Sequence, residues 1–407
     1  MKKTLLFLFC IIIGNSIQAQ ESWIPVAGFQ GNPRAWASGF SIGDKGYIST
    51  GGTNGTYYND LWEYDPTNDT WTQKADVGGS LRGGAISFSV DGIGYLGLGG
   101  NSSGQESSRD IWEYNPDTNR WSFNSFIPGS GLRNSVAFVI NDKAYLGTGS
   151  TLSSVGNETN DFWEFNPKGK IWTRKANVPG EVRTRAVGFA SDSKGYIGLG
   201  KNNQNEGPRD LKDFYEYDTA KNVWTKKSDY PGNASTDCVF FALNNYGYAG
   251  MGYQTARDFW RYDFENGEWT EAESFWGNGR IAPTSFSINN VGYMGLGYTT
   301  NAAGTVEFND FWKFEDATLS IEETLSTKTS ISIFPNPVRN ELNYSLAGGK
   351  LTQPETIEIK NLHGQTIEAI DSNTNNGKAD VAHLSAGMYF ITIKTRQGDY
   401  TKPFLKR

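Results

Sequence analysis

The sequence predicts an all-β repeat protein of six units followed by a smaller β domain, and three observations carry that expectation. The first is a stretch, Asp60-Leu61-Trp62-Glu63-Tyr64-Asp65-Pro66, that returns five more times in looser form, with its aspartate at Asp110, Asp161, Asp213, Asp258 and Asp310. The aspartates step by 50, 51, 52, 45 and 52 residues. A period of that size marks a repeat architecture, because one such unit cannot bury its own apolar face and has to stack on neighbours. The second is composition: with 13 Trp, 20 Tyr, 24 Phe and 48 Gly in 407 residues, the chain favours strands and turns over helices. The third is an alternation of large and small residues, first seen in Gly46-Tyr47-Ile48-Ser49-Thr50-Gly51-Gly52, which suits a strand pressed against a neighbouring sheet.

Taken in order, residues 1–19 have the form of a secretory signal: Lys2 and Lys3, an apolar run from Leu5 to Ile13, then small and polar residues to Ala19. The run is too short to stay in a bilayer, so no transmembrane segment is expected in the mature chain. Cys10 lies inside the run with Ile11-Ile12-Ile13 after it, which disfavours a lipid-anchored terminus. With the leader removed, Cys238 is the one cysteine left, and no intrachain disulfide can form in the exported protein. A net charge of −7 without a basic run argues against nucleic acid or an anionic membrane as partner.

Each repeat then reads as four short strands. Phe40, Phe88, Phe138, Phe189, Phe241 and Phe286 each stand seven residues before the tyrosine of the Gly-rich strand, which places a strand and a turn upstream of it. The Asp-x-Trp unit supplies the third strand. Trp71, Trp121, Trp172, Trp224 and Trp269 open a fourth, each ended by a glycine eight residues on. The sixth repeat lacks its fourth strand, whereas Trp23 is followed eight residues later by Gly31, so the segment from about Trp23 is expected to complete the last unit and close a ring. Four-stranded units of this length are the blades of a β-propeller.

The Gly-rich strand, the aromatic that follows and the spaced tryptophan resemble the kelch repeat, over roughly residues 21–316. The resemblance implies a six-bladed kelch-type β-propeller over residues 20–317. The chain departs from the pattern at Tyr215, where Trp is usual, and at Ser150, Lys201, Tyr253 and Tyr298, where the second glycine of the doublet is usual.

From residue 318 to 330 the pattern is lost, as in a linker. Residues 331–407 return to alternating segments, Glu341–Leu346, Thr356–Asn361, Gly387–Lys394 and Tyr400–Leu405, and read as a small β-sandwich. Pro335-Asn336-Pro337, Leu362-His363-Gly364-Gln365, Leu384-Ser385-Ala386-Gly387-Met388-Tyr389-Phe390 and the closing Lys402-Pro403-Phe404-Leu405-Lys406-Arg407 resemble the C-terminal sorting domain of type IX secretion cargo in Bacteroidota. That resemblance implies the secretion machinery as a partner of the tail, passage through the periplasm, and release from the cell or attachment to its surface.

The recurring acids are expected to be structural, with the aromatic filling the gap between blades and the aspartate bonding turn backbone. No metal site, catalytic triad or cofactor is expected in the propeller, since the two histidines, His363 and His383, both lie in the tail. Cys238, beside an inner strand, is expected to be buried and inert. One constellation points to a ligand: thirteen residues before the strand tyrosines stand Arg34, Arg82, Arg183 and Arg280, and twelve before Tyr145 stands Arg133, with Ser235 in the fifth repeat. By the kelch resemblance this position lies at the start of the innermost strand, near a mouth of the central channel. Guanidiniums there would favour an oxyanion; alternatively they pair with local acids and carbonyls as part of the repeat. The loops between second and third strands project on the same face and vary most, as recognition loops do. The expected role is non-catalytic binding of an extracellular protein or acidic glycan. Two alternatives stand beside it: a mutarotase or epimerase for an acidic sugar such as sialic acid, which the kelch resemblance admits, and a structural surface component.

Overall fold

A computed structural model describes residues 21–100, 107–152, 156–204, 208–253, 257–302, 304–316, 330–334, 337–347, 356–361, 366–371, 374, 376–395 and 398–407. The chain forms two compact units, one over Gln20–Asp316 and a second that takes in Ala317–Arg407. The expected leader, nearly all of the expected linker and His363 lie outside the described residues.

The first unit is a ring of six four-stranded antiparallel sheets. Blade 1 comprises Ser38–Ile42, Lys45–Ser49, Leu61–Asp65 and Thr70–Lys74, and blades 2 to 5 repeat this order along the chain. Blade 6 takes Thr284–Ile288, Val291–Gly295 and Phe311–Asp316 from the end of the unit and Glu21–Val26 from its start. The closing strand pairs antiparallel with the last, Glu21 opposite Asp316 and Val26 opposite Phe311. The inner strand of every blade touches those of the blades on either side, so the ring is continuous around a central channel.

The sequence periodicities map onto interfaces. Phe40 and Tyr47 are cross-strand partners with rings stacked 5.2 Å apart, and the equivalent pair recurs in each blade. Glycine opposite the phenylalanine of the preceding blade makes room for that ring: a Cβ at Gly94 would sit 2.5 Å from Phe40, and one at Gly195 would sit 2.2 Å from Phe138. The fourth-strand tryptophans tie blade to blade. Trp71 Nε1 donates to the Ala27 carbonyl at 2.9 Å, Trp121 to Ala75 at 2.9 Å, Trp224 to Ala176 at 2.9 Å, and Trp23 to Glu273 at 3.0 Å across the closure. Each buries an aromatic face and satisfies its N–H in the neighbour, the combination that suits tryptophan to an interface.

The second unit holds a three-stranded sheet, with Glu341–Ala347 between Ser330–Phe334 and Asn376–Asp380, and a four-stranded sheet ordered Thr366–Asp371, Thr356–Lys360, Gly387–Thr395, Gly398–Lys406. Apolar side chains from both sheets, among them Leu342, Ile357, Ile391 and Phe404, share one core. The strands at Thr366–Asp371 and Asn376–Asp380 are additions to the sequence expectation; Asn376-Gly377-Lys378-Ala379-Asp380 buries just one apolar side chain, Ala379, and offers no alternation to detect.

Candidate functional site

Four of the five predicted ligand arginines do a different task. Arg34, Arg82, Arg183 and Arg280 are at most 1% exposed. Each guanidinium grips the aspartate of its own blade with two bonds: Arg82 Nη1 and Nη2 reach Asp110 at 2.6 and 2.7 Å, Arg183 reaches Asp213 at 2.8 and 2.8 Å, Arg280 reaches Asp310 at 2.7 and 2.8 Å, and Arg34 holds Asp60 likewise. Nη1 also donates to a backbone carbonyl, Thr50, Leu98, Leu199 or Leu296, and Nε to the carbonyl two residues upstream. The second aspartate oxygen accepts from the indole of the same Asp-x-Trp unit, as Asp110 does from Trp112 at 2.6 Å. With four of five N–H groups bonded inside the fold and the side chain buried, these arginines are out of a ligand's reach. Asp60, Asp110, Asp213 and Asp310, expected to bond turn backbone, are instead the acidic halves of these ion pairs.

Arg133 is different because it is one residue out of step. It bridges Ser150 just as Gly83 bridges Gly100 and Thr184 bridges Lys201, whereas Arg82 and Arg183 precede those bridges. Adjacent residues on an extended strand face opposite ways. Leu132 therefore fills the arginine slot of blade 3 and is buried, and Arg133 turns to the other side. Its Nε donates to Ser107 Oγ at 3.0 Å; among the described residues its Nη atoms have no hydrogen-bond partner. Burial holds this guanidinium below the usual arginine range.

What Arg133 faces is a cavity of about 260 Å³ on the loop face, whose walls include Trp36, Tyr57, Glu158, Arg185 and Lys201. Trp36, Gly84, Asn134 and Arg185 on its floor belong to a ring of six residues, one from each blade, that continues through Asp237 and Ala282, all in left-handed backbone conformation with φ between 51° and 62°. Their amides link hand to hand, Gly84 to the Trp36 carbonyl at 2.9 Å, Asn134 to Gly84 at 2.8 Å, Arg185 to Asn134 at 2.9 Å, Ala282 to Asp237 at 3.0 Å and Trp36 to Ala282 at 3.4 Å. Across the middle, Asp237 accepts from Trp36 Nε1 at 3.1 Å and from Arg185 Nη1 at 2.9 Å. Asp237 in turn raises the pKa of Arg185 further and keeps its charge fixed. Below this floor a separate cavity of about 190 Å³ follows the channel between the inner strands, where Cys238 is buried with its thiol pushed up to about 12 by burial.

The rim explains the broken doublets. The first glycine has a φ of 82° to 95° in all six copies, Gly51, Gly99, Gly149, Gly200, Gly252 and Gly297, and its N–H donates to the next blade. The second position has no such duty and stands at the rim beside the residues that bridge it. Here Gly52 and Gly100 leave a hollow against Tyr57 and Arg133, a Cβ at Gly100 falling 2.2 Å from Arg133 Nη2. Lys201, Tyr253 and Tyr298 instead raise the opposite wall, with Tyr298 bracing Trp36 at 5.3 Å and the Lys201 ammonium over Tyr253 at 5.9 Å. Lys201, Glu158, Trp36 and Arg185 were not among the predicted site residues. For Lys201 the signal was in the sequence, as a departure from the glycine doublet.

Comparison with known proteins agrees with this architecture. The family described as Kelch motif matches residues 50–78, and the Secretion system C-terminal sorting domain matches residues 332–407. No curated protein matches the sequence. Among solved structures, the one titled "Structure of YjhT" superposes with a TM-score of 0.60 at 20% identity, covering 70% of this chain and 95% of that one. The first unit is a kelch-type β-propeller, and the tail is a type IX sorting domain that directs the chain to the cell surface or the extracellular space.

Proposed function

We propose that the propeller is an exported binding module that takes the acidic part of an extracellular ligand, a glycan or a protein, into the loop-face cavity. The observation that carries this is a contrast within one molecule. Four arginines are buried and paired with aspartates of the fold, whereas Arg133 and Lys201 face a cavity with no carboxylate bonded to either among the described residues. Cations left unpaired in a partly desolvated recess favour an oxyanion, and arginine adds a planar fork for it. The tail supports an extracellular setting for the ligand.

The test is a binding screen of purified mature protein against acidic and neutral glycans, repeated with Arg133→Ala and Lys201→Ala together. Saturable binding of acidic members that weakens with salt and is lost in the double variant is the expected result. Equal binding of neutral members, or binding indifferent to the substitutions, would overturn the reading; no binding at all would favour a structural component. A second reading, an acidic-sugar mutarotase, draws support from Glu158, a carboxylate in the same recess that acid–base work would need. Anomer exchange of a bound sugar, followed by NMR and faster than in buffer alone, would establish it.

A further inference from the structure

Glu158 is a buried carboxylate that the fold holds but does not satisfy. It is 7% exposed, and its backbone is fixed by a bridge to Ser150 and by the Thr159 amide, which donates to the Gly149 carbonyl at 2.9 Å. Oε1 accepts from Asn203 Nδ2 at 2.7 Å. Oε2 is buried and has no hydrogen-bond partner among the described residues. A buried acceptor left unmade costs free energy, and native proteins rarely retain one without a use. Arg133 and Lys201 line the same cavity, yet neither closes an ion pair with it. Elsewhere this chain forms such pairs readily.

The fixed charges of the cavity then select the ligand. Arg185 is cancelled by Asp237, at 2.9 Å. Arg133 and Lys201 against Glu158 leave one positive charge in excess. A monoanion neutralises the site; a dianion would leave a negative charge over, and a zwitterion would leave the positive one. Oε2 asks in addition for a donor, which on a monoanion is a hydroxyl. Trp36 and Tyr57 add aromatic side chains to the walls. The volume of about 260 Å³ lies near the lower end of small-ligand pockets, roughly 300–1,000 Å³.

We infer that the cavity is built for a singly charged hydroxy acid of about one sugar ring, such as a hexuronic acid residue, with its carboxylate on Arg133 and Lys201 and a hydroxyl donating to Glu158 Oε2. This rests on the acidic-ligand reading above and adds to it the donor, the single charge and Glu158 as a binding residue.

Titration calorimetry of the mature full chain tests it with three small molecules: D-galacturonate, D-galactose, and cyclohexanecarboxylate, a ring monoanion without hydroxyls. Galacturonate is expected to bind saturably, and each of the other two about ten-fold more weakly or worse. Glu158→Gln keeps the shape but removes a negative charge, which favours either acid, so its expected effect is read as a ratio: galacturonate weakens about ten-fold relative to cyclohexanecarboxylate, while Arg133→Gln weakens both acids. Cyclohexanecarboxylate binding as well as galacturonate would overturn the inference and leave the acidic-ligand reading standing, and that comparison needs no variant to fold. An unchanged ratio of galacturonate to cyclohexanecarboxylate affinity in a folded Glu158→Gln protein would do the same. Silence from both acids here and from every acidic glycan in the screen would overturn both.

Discussion

At the scale of single residues, the arginines separate into two kinds that ought to respond oppositely to substitution. Removing one partner of a buried, bidentate pair leaves the other charge stranded, at a cost of about 3–5 kcal/mol. Arg82→Met is expected to lower the unfolding free energy read from urea melts by that order, whereas Arg133→Met, which strands no carboxylate, should change it by about 0.5 kcal/mol or less. Equal losses in the two would contradict the division of labour. Burial by itself would raise the carboxyls of Asp110, Asp213 and Asp310, but bonds from Arg82, Arg183 and Arg280 and from the adjoining Trp or Tyr outweigh it and hold all three below the usual range. A folded-state pKa below the unfolded value of about 3.9 means the stabilisation is present above that pH and is lost as pH falls through the folded value. The urea midpoint should therefore hold from neutral down to about pH 5 and drop below about pH 4. A drop confined to the range above pH 5 would contradict the sign.

At the scale of the strand and its turn, the two positions of the glycine doublet separate just as cleanly. Gly200 sits at φ 88°, and a Cβ there would meet the Thr184 carbonyl oxygen at 2.7 Å. Gly200→Ala should cost about 1–3 kcal/mol, the scale of a residue forced into a sparsely populated conformation. Lys201→Ala, one residue on, should leave stability within about 0.5 kcal/mol; thermal melts of the two variants side by side decide it. The blades were legible in the sequence because their interfaces repeat: a stacked Phe and Tyr, a glycine beneath the neighbour's ring, an indole donating backwards. The mouth was legible only in part, because it is made where the repeat is broken. Averaging over copies finds Arg82 and Arg183, which the fold consumes, and treats Lys201 or Tyr298 as weak matches. Arg133 was found by a count that differed by one, and that single residue of offset is what turns it into the cavity. Glu158, in a variable loop, had no partner in the other copies to compare with. Tyr215 shows the opposite case, a departure that changes little, since its hydroxyl takes over the bond to Asp213 that an indole makes elsewhere.

For the whole molecule, the pairing of Glu21–Val26 with Phe311–Asp316 matters most. Removing residues 20–27 would leave the last blade with three strands, expose Phe314, Phe259 and Phe241 where Trp23 now packs, and open an edge that invites pairing with other chains. Such a protein is expected to aggregate on purification, and a monomeric, cooperatively melting product would refute that role for the strand. The ring completes its last pair at Asp316, so a fragment ending there should still fold and melt cooperatively. An open stack of repeats loosens from its termini, where each outer unit has a single neighbour to lose. A circle has no outermost unit: freeing any blade means giving up two interfaces at once, and amide hydrogen exchange should be slow to a similar depth in all six inner strands instead of grading from one end to the other.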